Sequence, residues 1–181
     1  EAASTPLAVR LWLLGLVATL AADDIVVPRL ATLLDNDVLQ DAARLALERI
    51  NNAPARRALA RFLLTAARPE IRAAVAAALG QIGDGEAKAL LMALGDPQLE
   101  VRLAAAESLA RFPYPELDRV LANVATDDNE SAEVRVQRAR LRLAKTLARS
   151  GQGVMAYRVR RDVMRTAKKP WIQRDAERDL R

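Results

Sequence analysis

The segment PQLEVRLAAAESLARF (97–112) decides the fold, because the pair Val101 and Arg102 inside it returns along the sequence at an almost constant spacing. Four counterparts of the pair lie in TPLAVRLWLLGL (5–16), DVLQDAARLALERI (37–50, where it reads Leu-Gln), PEIRAAVAAALGQIG (69–83) and SAEVRVQRARLRLA (131–144). The second members of the five pairs, here called the repeat markers, are Arg10, Gln40, Arg72, Arg102 and Arg135. They are 30, 32, 30 and 33 positions apart, and a period of this size indicates stacked supersecondary units.

Each marker lies in a segment with the pattern of a packed helix. An apolar residue stands eight positions after the first member of the pair, at Leu47, Leu79 and Leu109, and alanine fills much of the face between them. Apolar residues three and four positions apart indicate a second helix between successive markers. We expect these intervening helices at 25–34, 55–64, 86–94 and 116–124. Asn, Asp, Gly and Pro clusters separate the predicted helices.

The composition supports an all-α chain. Apolar residues make up 51% of the sequence but aromatic residues only 3%, so a core has to be built from Ala, Leu and Val. Ala, Leu and Arg are strong helix formers. The alternating β-branched runs that indicate strands are missing, and no long Gly/Ser-rich or Pro-rich linker divides the chain.

The sequence contains neither cysteine nor histidine. Disulfides, thiolate chemistry, most zinc and iron sites and the imidazole proton shuttle are therefore excluded. We predict no catalytic residues, no metal site and no cofactor, and hence a protein that is not an enzyme. The acidic runs at 35–37 and 127–130 lack the ligand spacing of a calcium loop and are interpreted as helix caps. Gly80, Gly83 and Gly85 follow a helix rather than a strand, and we interpret them as a helix stop.

Two of the marked segments carry a family resemblance. Residues 96–112 fit the pattern D-P-x-x-E-V-R-x-A-A-A-x-x-L and, with 69–83, resemble HEAT repeats of the phycobilisome-lyase-like subclass. Residues 26–50 resemble repeats in large bacterial HEAT-repeat proteins of unassigned role. The resemblance covers about residues 6–150. It implies a fold rather than a partner, since the family includes scaffolds, pigment-lyase chaperones and DNA-binding members.

The repeat and the resemblance together predict a right-handed α-solenoid, an ARM-like superhelix of about five HEAT-like helix pairs, over residues 1–151. Residues 152–181 lack the repeat signature, and we expect a basic helical C-terminal extension there, packed as a cap or tail. The apolar run 11–22 has the length of a signal-peptide core and is short for a membrane span. We favour a helix buried in the fold. Its apolar character around Trp12 indicates an oligomer contact or a longer array.

Charge is distributed unevenly along the chain. Residues 135–181 contain 15 Lys and Arg against four Asp and Glu, whereas residues 1–134 contain 13 against 19. The predicted helix 131–150 places five of the cations on one stripe, because they are 3, 4, 3 and 4 positions apart. This group, the α9 stripe, lies on the ninth predicted helix (α9, 131–150) and consists of Arg135, Arg138, Arg142, Lys145 and Arg149. A second group with spacings of 3 and 4, the α10 stripe, lies on the next predicted helix (α10, within 152–169) and consists of Arg158, Arg161 and Arg165.

A solvated helix face usually mixes acids with bases, and the α9 stripe contains no acid. We therefore predict a protein-interaction scaffold whose basic C-terminal surface binds an acidic protein. The alternatives are a HEAT-type protein that binds duplex DNA phosphates, anionic lipid headgroups as the ligand, and a pigment-lyase-like chaperone. Cytoplasm and periplasm are both compatible with the sequence.

Arg10, Arg72 and Arg102 invite interpretation as an anion-binding ladder. We instead expect structural roles, in which each marker arginine pairs with an acidic residue of the preceding turn or of the adjacent repeat. Asp96 is the partner expected for Arg102, and Asp128 is the partner expected for Arg135.

Overall fold

The computed structural model describes residues 6–20 and 25–178, and these residues form helices without any strand. The α-helices in chain order are α1 (Leu7–Leu20), α2 (Val26–Leu33), α3 (Gln40–Ile50), α4 (Ala53–Thr65), α5 (Pro69–Ile82), α6 (Ala87–Ala93), α7 (Leu99–Leu109), α8 (Leu117–Ala122), α9 (Glu130–Arg149), α10 (Gly153–Thr166) and α11 (Pro170–Arg178). A single 3-10 turn, Asp84–Glu86, lies between α5 and α6. The predicted marker helices and intervening helices are all present, with small shifts at their ends.

The helices are arranged in two layers. The marker helices stack side by side, with α1 on α3, α3 on α5, α5 along α7 and α7 along α9. In the second layer α2 packs on α4 and α4 on α6, and each of these helices also contacts a marker helix. This arrangement is the predicted α-solenoid; its right-handed twist and its count of about five pairs stay predictions.

Local sequence explains where the helices begin and end. The side chain of Asn52 accepts a hydrogen bond from the amide of Ala55 at 2.9 Å and caps α4, and Asn129 caps α9 in the same way through Ala132 at 3.0 Å. Asn51 ends α3 in the left-handed conformation, with φ at 47°. Asparagine tolerates this conformation better than most residues do. The acidic run 127–130 was interpreted as a cap, and within it the capping residue is Asn129.

The core is built from small aliphatic side chains along the junction of the layers. Leu47, Leu79 and Leu109, the residues predicted from the repeat, are at most 1% exposed. They belong to one connected cluster of buried residues that continues from Val27 to Ala176. Burying a leucine side chain contributes about 1.5–3 kcal/mol relative to exposure, so the repeated leucine is a main source of stability.

Helices α5 and α7 approach each other closely at Gly80. A Cβ atom on Gly80 would lie 2.4 Å from the Cβ atom of Ser108, and the Ser108 hydroxyl donates to the carbonyl of Ala76 at 2.9 Å. The prediction that Gly80 is part of a helix stop was therefore wrong, since it lies inside α5 and makes room for α7. Gly83 ends α5 with φ at 132°, which confirms the stop at that position.

The first helix does not fit the expectation of a buried segment. Trp12 on α1 is 64% exposed, and Leu7, Val9, Leu11 and Leu13 are each at least 40% exposed. Among the described side chains of α1, Leu14 packs, half-buried, against the core. Helix α1 contacts α3 along one side, and no described helix covers its other side, which explains the exposure. Residues 21 and 22 of the apolar run 11–22 lie outside the described part of the chain.

The C-terminal helices pack on the end of the stack. Helix α10 lies along α9, and α11 contacts both of them. Val159, Val163, Ile172 and Ala176 are buried and belong to the same cluster as the core of the repeats. Pro170 stands at the first position of α11, where its missing amide proton costs nothing.

Candidate binding surface

Arg72 connects two successive repeats. Its guanidinium forms a bidentate pair with the carboxylate of Asp96 in the turn before α7, with Nε–Oδ2 and Nη2–Oδ1 distances of 2.7 and 2.9 Å. It also donates to the carbonyl oxygens of Ala66 and Ala67 in the turn before its own helix, at 2.9 and 3.1 Å. The hydrogen bonds to Arg72 lower the pKa of Asp96, and the same bonds raise the pKa of Arg72.

Arg102 repeats this arrangement one step along the stack. It donates to the carbonyl oxygens of Asp96 and Pro97 in its own turn at 2.8 and 3.0 Å. It then reaches the next turn, where it bonds to the carbonyl of Ala125 at 3.0 Å and pairs with the carboxylate of Asp127. Each of the two arginines therefore joins its own turn to the turn of the following repeat, and their charges are used inside the fold.

The partners differ from those expected. The carboxylate of Asp96 pairs with Arg72. Arg102 donates a hydrogen bond to the backbone carbonyl of Asp96 and forms its ion pair with Asp127. The reason is the direction of the side chain. Each guanidinium extends beyond its own turn to a carboxylate of the following repeat, which agrees with the expected pairing to an adjacent repeat, whereas the partner named for Arg102 lies in the preceding turn.

Arg135 carries the sequence marker but does not make these contacts. Its guanidinium bonds to Glu107 and Glu100 on α7, each at 2.7 Å, and these carboxylates raise its pKa against the opposing effect of partial burial. Val134 is only half-buried, whereas Val101 is fully buried. Helix α9 is therefore rotated about its axis relative to α7, so Val134 and Arg135 face different neighbours than Val101 and Arg102 do. Asp128 is not the partner of Arg135. Arg10, the first marker, lies on the exposed surface of α1.

Arg140 was not predicted as a functional residue from the sequence, and at 2% exposure it is the most deeply buried charged residue among the described residues. Its Nε and Nη2 atoms bond to Asp118 on α8 at 2.7 and 3.2 Å, and Nη2 also bonds to Asp162 on α10. Burial acts to lower the pKa of Arg140, but the bonds to the two carboxylates outweigh it and raise the pKa. The residue stands four positions after Val136 and three before Leu143, and this core spacing was the signal available in the sequence.

The ion pairs between α9 and the turn before α11 have the opposite arrangement of charges, with the cations in the turn and the carboxylates on the helix. Lys168 and Lys169 occupy the turn between α10 and α11, and they pair with Glu133 (2.8 Å) and Glu130 in the first turn of α9. Lysine therefore stands in the turn where Asp96 and Asp127 stand in the preceding steps. These four side chains are 30–75% exposed, whereas those of Arg72 and Asp96 are 12% and 11% exposed.

The rest of the α9 stripe lines a groove between α9 and α11. The groove has a volume of about 480 Å³. One wall belongs to α9 and consists of Arg138, Leu141, Arg142, Lys145, Thr146 and Arg149. The other wall belongs to α11 and consists of Asp175 and Arg178. All four cations of the wall are exposed. The guanidinium carbon of Arg138 lies 4.9 Å from the ring centre of Trp171, a cation–π contact that holds this side chain beside α11.

The α10 stripe is also exposed. Arg158, Arg161 and Arg165 point away from the buried residues Val159 and Val163 of the same helix. Arg161 lies 6.0 Å from the ring centre of Tyr157, at the outer limit of a cation–π contact. None of the three lines the groove between α9 and α11.

Metal and membrane features were sought in the described part of the chain. Residues 6–20 and 25–178 contain no group of three or more Asp or Glu side chains placed to hold a metal ion. Over the same residues no helix combines the length and apolar character needed to cross a bilayer.

The two-layer stack of helix pairs defines the class of this protein as an α-solenoid. A family model of HEAT repeats matches residues 63–144, which is just under half of the chain, and this part of the chain is similar to HEAT repeats. HEAT repeats generally mediate protein–protein interaction or scaffolding, and the family is typically non-enzymatic. Membership in the phycobilisome-lyase-like subclass stays a prediction. Curated proteins and solved structures gave no match to this chain.

Proposed function

We propose that this protein is a non-enzymatic interaction module that binds an acidic protein through the basic surface of α9, α10 and α11. The observation that carries the proposal is the position of the α9 stripe. Among the described residues, no carboxylate forms an ion pair with Arg138, Arg142 or Arg149, although Arg72, Arg102 and Arg140 are all paired. Like charges three and four positions apart destabilise a helix by about 0.2–0.5 kcal/mol per pair, so the stripe is not explained by stability.

An acidic protein suits this surface better than a polyphosphate. Residues 1–134 contain an excess of acids, which repels an extended nucleic acid along most of the stack. The wall of the groove also contains Leu141, and Trp171 lies against Arg138 beside it. A protein segment can match apolar and charged contacts together, whereas phosphates use only the charges.

The same proposal assigns residues 152–181 to a cap that completes the surface. Ile172 and Ala176 of α11 are buried against the repeats, and this packing holds Asp175 and Arg178 at the edge of the groove. A solenoid buries its core only through neighbours, so its last repeat requires a covering element.

The proposal is tested by capture of a partner from a lysate of the source organism, with and without nuclease treatment. The test variant is Arg138→Glu, Arg142→Glu, Arg149→Glu. The matched control is Arg57→Glu, Arg61→Glu, Arg119→Glu, which makes the same change in net charge at exposed arginines of α4 and α8. Circular dichroism of both variants confirms that helix content is unchanged.

We expect the wild type and the control to retain the same protein, which resists nuclease, and the test variant to lose it. Retention by the test variant contradicts the proposal. Recovery that disappears after nuclease treatment also contradicts it, and assigns the surface to nucleic acid.

A further inference from the structure

The groove between α9 and α11 has regular spacing along one wall. Its cations are Arg138, Arg142, Lys145 and Arg149, with separations of 4, 3 and 4 residues. At 1.5 Å per residue the wall is about 16 Å long, which is about three turns of helix. Successive cations are therefore separated by about 4.5–6 Å along the helix axis.

This spacing matches the side chains of another helix. Residues at i, i+4, i+7 and i+11 lie on one face of an α-helix with the same separations. The series 4, 3, 4 reads the same in both directions, so a partner helix aligns its four side chains whether it runs parallel or antiparallel to α9. An extended strand rises about 3.3 Å per residue and presents alternate side chains about 6.6 Å apart, so it loses register over this length.

The size of the groove fits side chains rather than a whole helix. A volume of about 480 Å³ is too small for a helix with a diameter of about 10 Å, so a partner helix lies along the opening and inserts one face. Leu141 in the wall then receives an apolar contact between the charged pairs.

Two contacts prepare the groove for this partner. Trp171 holds the guanidinium of Arg138 at the end of the stripe, so less side-chain freedom is lost when that residue binds. Asp175 Oδ1 pairs with Arg178 Nη2 at 3.2 Å, so these two residues give the α11 wall no net charge, whereas the α9 wall has four cations. A row of carboxylates is therefore directed to the α9 wall.

We infer that the groove binds one face of an acidic α-helix of a partner protein, with carboxylates at i, i+4, i+7 and i+11. This inference rests on the proposed function and makes it specific, because it names the groove as the site and a helix as the recognised element.

The probes for the test are two fluorescent alanine-based helical peptides of about 16 residues. The matched peptide has four glutamates at i, i+4, i+7 and i+11. The scrambled peptide has the same composition with glutamates at i, i+2, i+5 and i+11, which puts two of them on the opposite face. Fluorescence anisotropy at about 0.15 M salt, where the Debye length is about 8 Å, gives both affinities, and circular dichroism confirms equal helicity.

We expect the matched peptide to bind the wild type about tenfold more tightly than the scrambled peptide, because each exposed ion pair contributes about 0.2–1 kcal/mol. The variant Arg142→Glu, Arg149→Glu should weaken the matched peptide about tenfold, since it replaces two attractions by repulsions. The control Arg57→Glu, Arg61→Glu makes the same change in net charge at exposed arginines of α4 and should leave the affinity within about twofold.

Equal binding of the two peptides overturns the inference, because the groove then responds to net charge alone. An equal loss in the two variants overturns it as well, since the site is then not the groove. Neither result contradicts the proposed function as long as the variant Arg138→Glu, Arg142→Glu, Arg149→Glu loses the protein that the wild type captures from the lysate. Retained capture by that variant is the separate failure of the proposed function.

Discussion

Arg72 and Arg102 in the middle repeats are enclosed by neighbouring turns, whereas Arg142 and Arg149 on α9 are exposed along a groove. The first two donate to backbone carbonyls and pair with Asp96 and Asp127, so each charge is satisfied within the fold. The other two form no ion pair with any residue in the described ranges, 6–20 and 25–178. The same type of side chain therefore joins repeats in one region and is left available in the other.

The difference comes from the length and rotation of the helices. Helix α9 has 20 residues and α7 has 11, and α9 begins before its marker with Glu130, which pairs with Lys169. As a result Arg135 faces the carboxylates of α7, and the cations that follow it line the groove. A basic surface at one end of the stack is thus obtained without disturbing the contacts between the middle repeats.

The largest effect should follow from removing the buried charge of α9. Arg140→Ala leaves Asp118 and Asp162 without their shared partner, and we expect a loss of roughly 3–5 kcal/mol in the free energy of unfolding. Urea denaturation measures the change. The control is Arg142→Ala, two positions further on the exposed side of the same helix, which should change stability by at most about 0.5 kcal/mol. Equal losses in the two variants would remove the distinction between the two sides of α9.

A smaller effect concerns the inter-repeat pair of Arg72. Asp96→Asn removes charge-assisted hydrogen bonds, each contributing about 1.5–3 kcal/mol, and should lower the free energy of unfolding at pH 7 by that order. The pKa of Asp96 is lowered in the folded state, so its contribution is present above its unfolded value of about 3.9 and is lost as the pH falls through the folded value. The gap between wild type and variant should therefore shrink below about pH 4. Urea titrations from pH 7 down to pH 3 check this, and a gap independent of pH would contradict the assigned cause.

The sequence predicted the repeats well, because period and apolar spacing depend on local structure. Leu47, Leu79 and Leu109 were identified from the period alone and are buried. The partners of the marker arginines were not identified correctly, since the pair of Arg72 and Asp96 spans 24 residues and depends on how two helix pairs stack. The exposure of Trp12 also depends on packing, since α1 packs along α3 on one side.

The candidate site was predicted in part. Helical spacing placed the α9 stripe on one face, and the structure brings four of its five residues into one groove. It gives the fifth, Arg135, internal partners and leaves the α10 stripe outside that groove. The second wall and the contact of Trp171 with Arg138 depend on the fold of residues 170–178, where the sequence has no repeat to follow.

The most direct test of this account compares Arg102→Ala with Arg142→Ala in two measurements, urea denaturation and binding of the matched acidic peptide. Arg102→Ala should lower the free energy of unfolding by roughly 2–4 kcal/mol and leave the affinity within about twofold, because its charge is used between repeats. Arg142→Ala should leave stability within about 0.5 kcal/mol and weaken the peptide by about two- to fivefold. If both variants lose stability alike, or if the peptide binds both equally, the division between structural and binding arginines is wrong.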